Sequence, residues 1–176
     1  MEATALGGRL RTSTNASYRS YSRCAKSTAL EASETVLKYI LDTNAVSALM
    51  KGEPHVIQRL QAANRSDVAI PQPVIAEIAY GIERLPRSKR REMLQQRFDT
   101  VRMELGRAAW TDIVSERFGT IKAALEKRGK RIEDFDAAIA AHALAESAVL
   151  VTADLVQMTR VPGLNVEDWS QTAARH

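Results

Sequence analysis

The stretch Val36-Leu37-Lys38-Tyr39-Ile40-Leu41-Asp42-Thr43-Asn44 decides the fold. It is a β-branched and aliphatic run that ends abruptly in an acid. The pattern predicts a buried strand over Val36–Leu41 that delivers one carboxylate to its C-terminal edge. In an open α/β sheet, ligands sit just beyond that edge. The remaining sequence is therefore read for other acids that converge on Asp42.

Outward from this strand, helices and strands alternate. Asp42 or Thr43 can cap a helix reaching about Met50, stopped by Gly52. Pro54 opens a second helix, with Val56, Ile57, Leu60 and Ala63 at helical spacing. Asp67–Ile70 reads as a second strand. Val74 to Arg84 is a nearly all-apolar helix with Glu77 in its middle. Residues 87–105 form a charged helix whose apolar stripe is Met93, Leu94, Phe98, Val101 and Leu105. Ala108-Ala109-Trp110 is a candidate third strand. A helix capped by Thr111 or Asp112 follows, with Ile113, Phe118, Ile121 and Leu125 inward and Gly129 closing it. Asp134-Phe135-Asp136 leads into an alanine-rich helix through Ala145. Ala148–Thr152 is a buried strand, and Leu164–Val166 a last edge strand. This alternation predicts a parallel sheet of four to five strands flanked by helices, under right-handed crossovers.

The chain has 176 residues, 45% of them hydrophobic, which suits one domain with a real core and not comfortably two. The net charge of +4 permits a polyanionic partner without demanding one. Aromatics are only 5%, which weighs against a base-stacking sheet or an OB-type binder. The single cysteine, Cys24, rules out an intrachain disulfide framework and suits a reducing, cytoplasmic compartment. No apolar run reaches the roughly 20 residues of a membrane helix. Residues 1–35 are rich in Ser, Thr, Ala and Arg. Their composition resembles a transit peptide superficially. A disordered tail, or a segment upstream of a start near Val36, fits it better. The domain is then expected over 36–170, with a short tail at 171–176.

Four acids sit inside or at the lip of apolar elements, where an unpaired carboxylate is expensive to bury. Asp42 ends the first strand. Glu77 lies between Ile75, Ile78 and Ile82. Asp136 starts the alanine-rich helix. Asp154 lies just past the strand ending at Thr152. Strand ends and the helix starts that follow them share one edge of a parallel sheet. Clustered carboxylates repel, and a hard divalent cation resolves the repulsion; oxygen-only ligands suit Mg²⁺ or Mn²⁺ rather than zinc. Such an ion polarises a phosphodiester and activates water, which is nuclease chemistry. Each acid also has a plainer reading. Asp42 and Asp136 are possible helix caps, Asp154 a turn residue, and Glu77 one half of a buried ion pair with an arginine. Glu77 resists most, because a helix-interior acid caps nothing. His142 reads as a packed or half-exposed histidine. No Gly-rich phosphate loop, Gly-x-Ser-x-Gly or Cys-x-x-Cys is present.

Together these residues resemble a known family. Leu41-Asp42-Thr43-Asn44, the Ala76–Ile82 segment (Ala-Glu-Ile-Ala-Tyr-Gly-Ile), Asp136-x-x-Ile139-Ala140-Ala141-His142-Ala143, and Val151-Thr152-x-Asp154 followed by Arg160-Val161-Pro162-Gly163-Leu164 occur in order. The chain from about Leu37 to Trp169 is similar to the PIN-domain ribonucleases, and most similar to the VapC toxins of type II toxin–antitoxin modules. The resemblance implies a Rossmann-like sheet and Mg²⁺- or Mn²⁺-dependent endoribonuclease activity. It also implies a homodimer, and a VapB-type antitoxin that blocks the site and helps bind operator DNA. By position, Asp42, Glu77, Asp136 and Asp154 match the family's acidic quartet, and Asn44 and Thr152 match polar positions beside it, next to Thr43. Met158 departs from the pattern, where relatives often carry an aromatic. Basic residues Arg87, Lys89 and Arg90, and Lys130 and Arg131, are candidates for RNA backbone contact. Two rivals stand beside this reading. One is a PIN-fold binding module acting through an antitoxin partner and operator DNA with little or no cleavage. The other is a phosphotransferase with a nucleophilic Asp42, which would want a second Asp on the same loop where Thr43-Asn44 stand.

Overall fold

The structure, a computed structural model, describes residues 37–171. Val36, the expected tail over 1–35 and all but the first residue of the expected tail 171–176 lie outside them. Five short strands carry the fold: β1 (Tyr39–Leu41), β2 (Val68–Pro71), β3 (Gly106–Ala108), β4 (Val149–Val151) and β5 (Val166–Glu167). All pair in parallel, in the order β3-β2-β1-β4-β5. The chain thus builds outward from β1 to β2 and β3, then crosses back to lay β4 on the other side of β1. The reversal makes a switch point between β1 and β4, where the following loops diverge and leave a crevice.

Helices alternate with the strands. They are α1 (Thr43–Lys51), α2 (Pro54–Ala62), α3 (Gln72–Glu83), α4 (Lys89–Glu104), α5 (Asp112–Lys127), α6 (Asp134–Ala145) and α7 (Leu155–Met158). Their ends follow local chemistry. Gly52 takes a left-handed φ of 81° after α1, where a Cβ would be strained. The Thr111 hydroxyl caps α5 by accepting from the Val114 amide at 3.3 Å. Ser88 caps α4 in the same way through Arg91. Strand residues Ile40, Leu41, Val68, Ala69, Ile70, Leu150 and Val151 are buried, as expected of a sheet covered on both faces. In α6, every residue from Ala137 to Ala143 is buried. Small side chains there let α5 pack closely along it.

Some sequence expectations shift. The third strand is Gly106–Ala108, not Ala108–Trp110. A Cβ on Gly106 would stand 3.3 Å from the Val68 carbonyl oxygen, a tight contact that glycine avoids beside β2. Asp67 precedes β2 in a single 3₁₀ turn, Arg65–Asp67, and pairs with Lys38 at 2.7 Å. Met93 and Ile113 face outward, 42% and 56% exposed. Each lies one residue out of phase with its helix's inward row, which is Leu94, Phe98 and Val101 on α4 and Val114, Phe118, Ile121 and Leu125 on α5. Among the described residues, no helix is long and apolar enough to cross a membrane.

Candidate active site

Leu41 pairs with Val151 in the parallel ladder, so the next residues, Asp42 and Thr152, emerge side by side at the switch point. The Asp42 carboxylate is buried and fully engaged. Its Oδ1 accepts from the Thr43 amide at 2.6 Å, which makes Asp42 the N-cap of α1. Its Oδ2 accepts from Asn44 Nδ2 at 2.8 Å and from Thr152 Oγ1 at 2.7 Å. The plain capping reading therefore holds for this residue, and the cap stands at the same crevice as the other acids. Burial pushes the Asp42 carboxyl above its ordinary value, and the bonds from Thr152, Thr43 and Asn44 oppose that rise.

Asn44 and Thr152 fasten this corner. Asn44 Nδ2 also reaches Thr152 Oγ1 at 3.0 Å, and its Oδ1 accepts from the Ala153 amide at 2.9 Å. Thr152 Oγ1 in turn accepts from the Asp154 amide at 3.0 Å. Asp154 caps α7, its Oδ1 taking the Gln157 amide at 3.1 Å.

The other two acids arrive from the helices. Glu77 is half-buried on α3, with Ile78 and Ile82 in the core beneath it. Its Oε2 accepts from Thr43 Oγ1 at 2.5 Å. Among the described residues no lysine or arginine pairs with it, so the buried ion-pair reading of Glu77 does not hold. Asp136 is half-buried in the first turn of α6, and Gln157 Nε2 donates to its Oδ2. Burial, followed by the negative charges of Asp42, Glu77 and Asp154, raises the Asp136 carboxyl to about 6. The four acids thus share one electrostatic neighbourhood. Hydrogen bonds run through Glu77, Thr43, Asp42, Thr152, Asp154, Gln157 and Asp136 with only short backbone steps between them.

The match to known proteins follows the same ground. A family model described as the PIN domain covers residues 39–164. A ribonuclease named VapC2 from Rickettsia felis is 33% identical over 135 residues, spanning 76% of this chain and 98% of the relative. The chain belongs to the PIN-domain family, among the VapC ribonucleases. A tRNA(fMet)-specific endonuclease VapC from Shigella flexneri is 30% identical over 139 residues, across 77% of this chain and 100% of that protein. Among solved structures, VapBC2 from Rickettsia felis bound to a promoter DNA fragment aligns with a TM-score of 0.66 at 30% identity, covering 76% of this chain and 99% of the other. DNA-bound VapBC from Salmonella typhimurium aligns with a TM-score of 0.69 at 28% identity, over 76% and 98% of the two chains.

In this PIN domain the donor set around the crevice is oxygen only, which fits a hard cation. The mutual repulsion felt by Asp136 is what such a cation would relieve. Among the described residues, no three His, Cys, Asp or Glu side chains close into a ready-made cage.

The basic candidates behave differently from the acids. Arg87, Lys89, Arg90 and Lys130 are exposed and bond to none of the four carboxylates. Arg131 is exposed too and leans toward Glu126 at 3.8 Å. Arg91, in the same positive run, is occupied by Glu83 and by the carbonyls of Glu83 and Leu85. Sequence reasoning missed Gln157, which touches two acids at once. Its one local signal was a glutamine three residues after an aspartate that opens a helix, which reads as ordinary capping.

Proposed function

We propose that this VapC-family ribonuclease hydrolyses RNA phosphodiester bonds with Mg²⁺ or Mn²⁺ held by Asp42, Glu77, Asp136 and Asp154. The observation that supports it best is the convergence of the four acids on one hydrogen-bonded crevice, where burial and then the charge of the other three raise the Asp136 carboxyl. When bound, the cation lowers the pKa of water, polarises the phosphodiester and offsets the charge that develops in the transition state. The chain's own groups do the rest. Thr43 aims Glu77, Asn44 and Thr152 fix Asp42, and the Asp154 cap fixes the turn after β4. Exposed Arg87, Lys89, Arg90, Lys130 and Arg131 supply positive charge for the RNA backbone.

The same reading extends to partners. The neighbours in VapBC complexes support a VapB-type antitoxin for this chain, with operator DNA bound only through that complex. Trp110, Phe118 and Phe135 line an apolar groove of about 360 Å³, and Tyr80 is 64% exposed. Uncovered apolar surface of this kind supports the homodimer. Sedimentation of the purified chain reads the dimer.

The deciding experiment incubates labelled RNA with the protein and Mg²⁺ or Mn²⁺, with and without EDTA, beside Asp42→Asn and Glu77→Gln. Cleavage by the native chain alone, stopped by EDTA and restored by either ion, is the expected result. Cleavage that survives both substitutions, or that ignores EDTA, overturns the four-acid reading.

A further inference from the structure

The residue that joins the two halves of the acid group is neutral. Gln157 stands on α7, three positions after the Asp154 cap. Its backbone amide donates to Asp154 Oδ1 at 3.1 Å, and its side-chain Nε2 donates to Asp136 Oδ2 on α6. In a capping box, a glutamine at this third helical position turns back to the amide of the cap residue. Here that amide is already taken, because Asp154 N donates to Thr152 Oγ1 at 3.0 Å. The Gln157 side chain is released from local capping and reaches across to another helix.

The chemistry of the bridge is specific. Two carboxylates facing one crevice repel and would drift apart without a tether. A lysine or arginine tether would cancel one negative charge and compete with a bound cation. A glutamate would add a further negative charge. An amide donates a hydrogen bond to the anion while leaving its charge intact. Of the polar side chains long enough to span the gap, glutamine alone combines a neutral donor with a reach of three torsions.

We propose that Gln157 is a positioning residue that holds Asp136 at a fixed distance from Asp154, so that the two carboxylates meet one divalent cation together. This inference rests on the four-acid reading above. It adds a residue that touches neither the RNA nor the metal and acts through the carboxylates it orients. Partners of this kind typically set metal affinity by about 10–100-fold.

The test measures Mn²⁺ binding to the full chain by electron paramagnetic resonance, beside RNA cleavage kinetics and thermal melting. Gln157→Met keeps the length and removes the donor. Gln157→Asn keeps the amide but withdraws it by one methylene. Val156→Ala, next along α7 at a position 75% exposed, is the control. Both Gln157 variants are expected to bind Mn²⁺ about tenfold more weakly or worse, and to lose kcat more than they raise KM. Val156→Ala is expected to match the native chain in all three measurements. Native-like Mn²⁺ affinity in either folded Gln157 variant overturns the positioning role, while Asp42→Asn still abolishes binding and keeps the four-acid reading intact. If the native chain binds no Mn²⁺, or Asp42→Asn binds it equally well, both readings fall together.

Discussion

Thr43 Oγ1 donates to Glu77 Oε2 across 34 residues of sequence, joining the first turn of α1 to the middle of α3. The bond gives an otherwise unpaired acid in an apolar helix a fixed direction. Without it, Glu77 is free to turn toward solvent. Thr43→Val keeps the shape and removes the hydroxyl, and is expected to lower kcat/KM about tenfold or more. The melting temperature should fall by several degrees, because a hydrogen bond to a charged group contributes about 1.5–3 kcal/mol, so activities are compared well below both transitions. Thr43→Ser should retain activity. Steady-state cleavage of one labelled RNA by the three proteins checks this.

Asp136 should impose a pH dependence on both activity and stability. Its carboxyl is raised to about 6, so it holds a proton that an ordinary carboxylate has already lost. Cleavage should rise as pH passes upward through about 6, and the midpoint should fall when Mg²⁺ is increased, since cation and proton compete for the same oxygens. Metal-free stability runs the other way. Between the ordinary carboxyl value and about 6 the native state binds more protons than the unfolded one, so stability falls as pH rises through that window. Asp136→Asn in the metal-free protein should therefore gain on the order of 1 kcal/mol at pH 7.5, after allowance for solvent screening, and nothing near pH 4. Melting curves at the two pH values read the difference.

His142 gives the opposite slope. It is completely buried on α6, packed edge-on against Trp110 at 5.5 Å, and neither ring nitrogen has a hydrogen-bond partner among the described residues. Burial lowers its pKa to about 4. The unfolded state then binds more protons between about 6.5 and about 4, so stability is lost as pH falls through that window, by on the order of 3 kcal/mol. His142→Met fills similar space without orphaned nitrogens and should melt at least as high as the native chain at pH 7.5. Its acid-side loss of stability should be smaller. A melting temperature that falls as steeply with acid in the variant as in the native chain would contradict this assignment.

The surface cations should act through charge alone. Arg87, Lys89 and Arg90 are exposed and unpaired among the described residues, while Arg91 is held by Glu83. Replacing Arg87, Lys89 and Arg90 with alanine should weaken RNA binding. It should also flatten the salt dependence, by about 0.7 in logarithmic slope for each phosphate no longer neutralised. Arg91→Ala should instead cost stability at the α3–α4 junction. Binding isotherms at several salt concentrations, taken with a catalytically inactive Asp42→Asn background, separate the two effects.

The sheet and the position of each acid within its element were legible in the sequence, for the same reason. Val149–Val151 and Tyr39–Leu41 are short apolar runs that end beside polar residues, and such endings survive in any α/β arrangement. Glu77 was legible because an acid among isoleucines violates hydrophobic patterning. What was hidden depended on contacts between elements. Nothing in Asp154-Leu155-Val156-Gln157 reveals that the glutamine reaches α6 instead of its own cap. The full burial of His142 was equally hidden, since alanines surround it in sequence and its burial depends on what packs against α6, Trp110 included. The third strand was misplaced because a glycine normally marks a break, whereas here close approach to β2 makes it the strand's first residue.

The pairing of Leu41 with Val151 carries a further consequence for when the enzyme comes into being. Asp42 and Thr152 are 110 residues apart in the chain, and their bond forms only when β4 lies against β1 in one register. A slip of one residue would turn every side chain of β4 to the opposite face of the sheet and carry Thr152 away from Asp42. A nascent chain that has released β1, α1 and α3 holds two of the four acids, and Asp42 then has its Thr43 and Asn44 bonds but not the one from Thr152. The completed acid corner thus waits for β4 and for Thr152, 110 residues after Asp42.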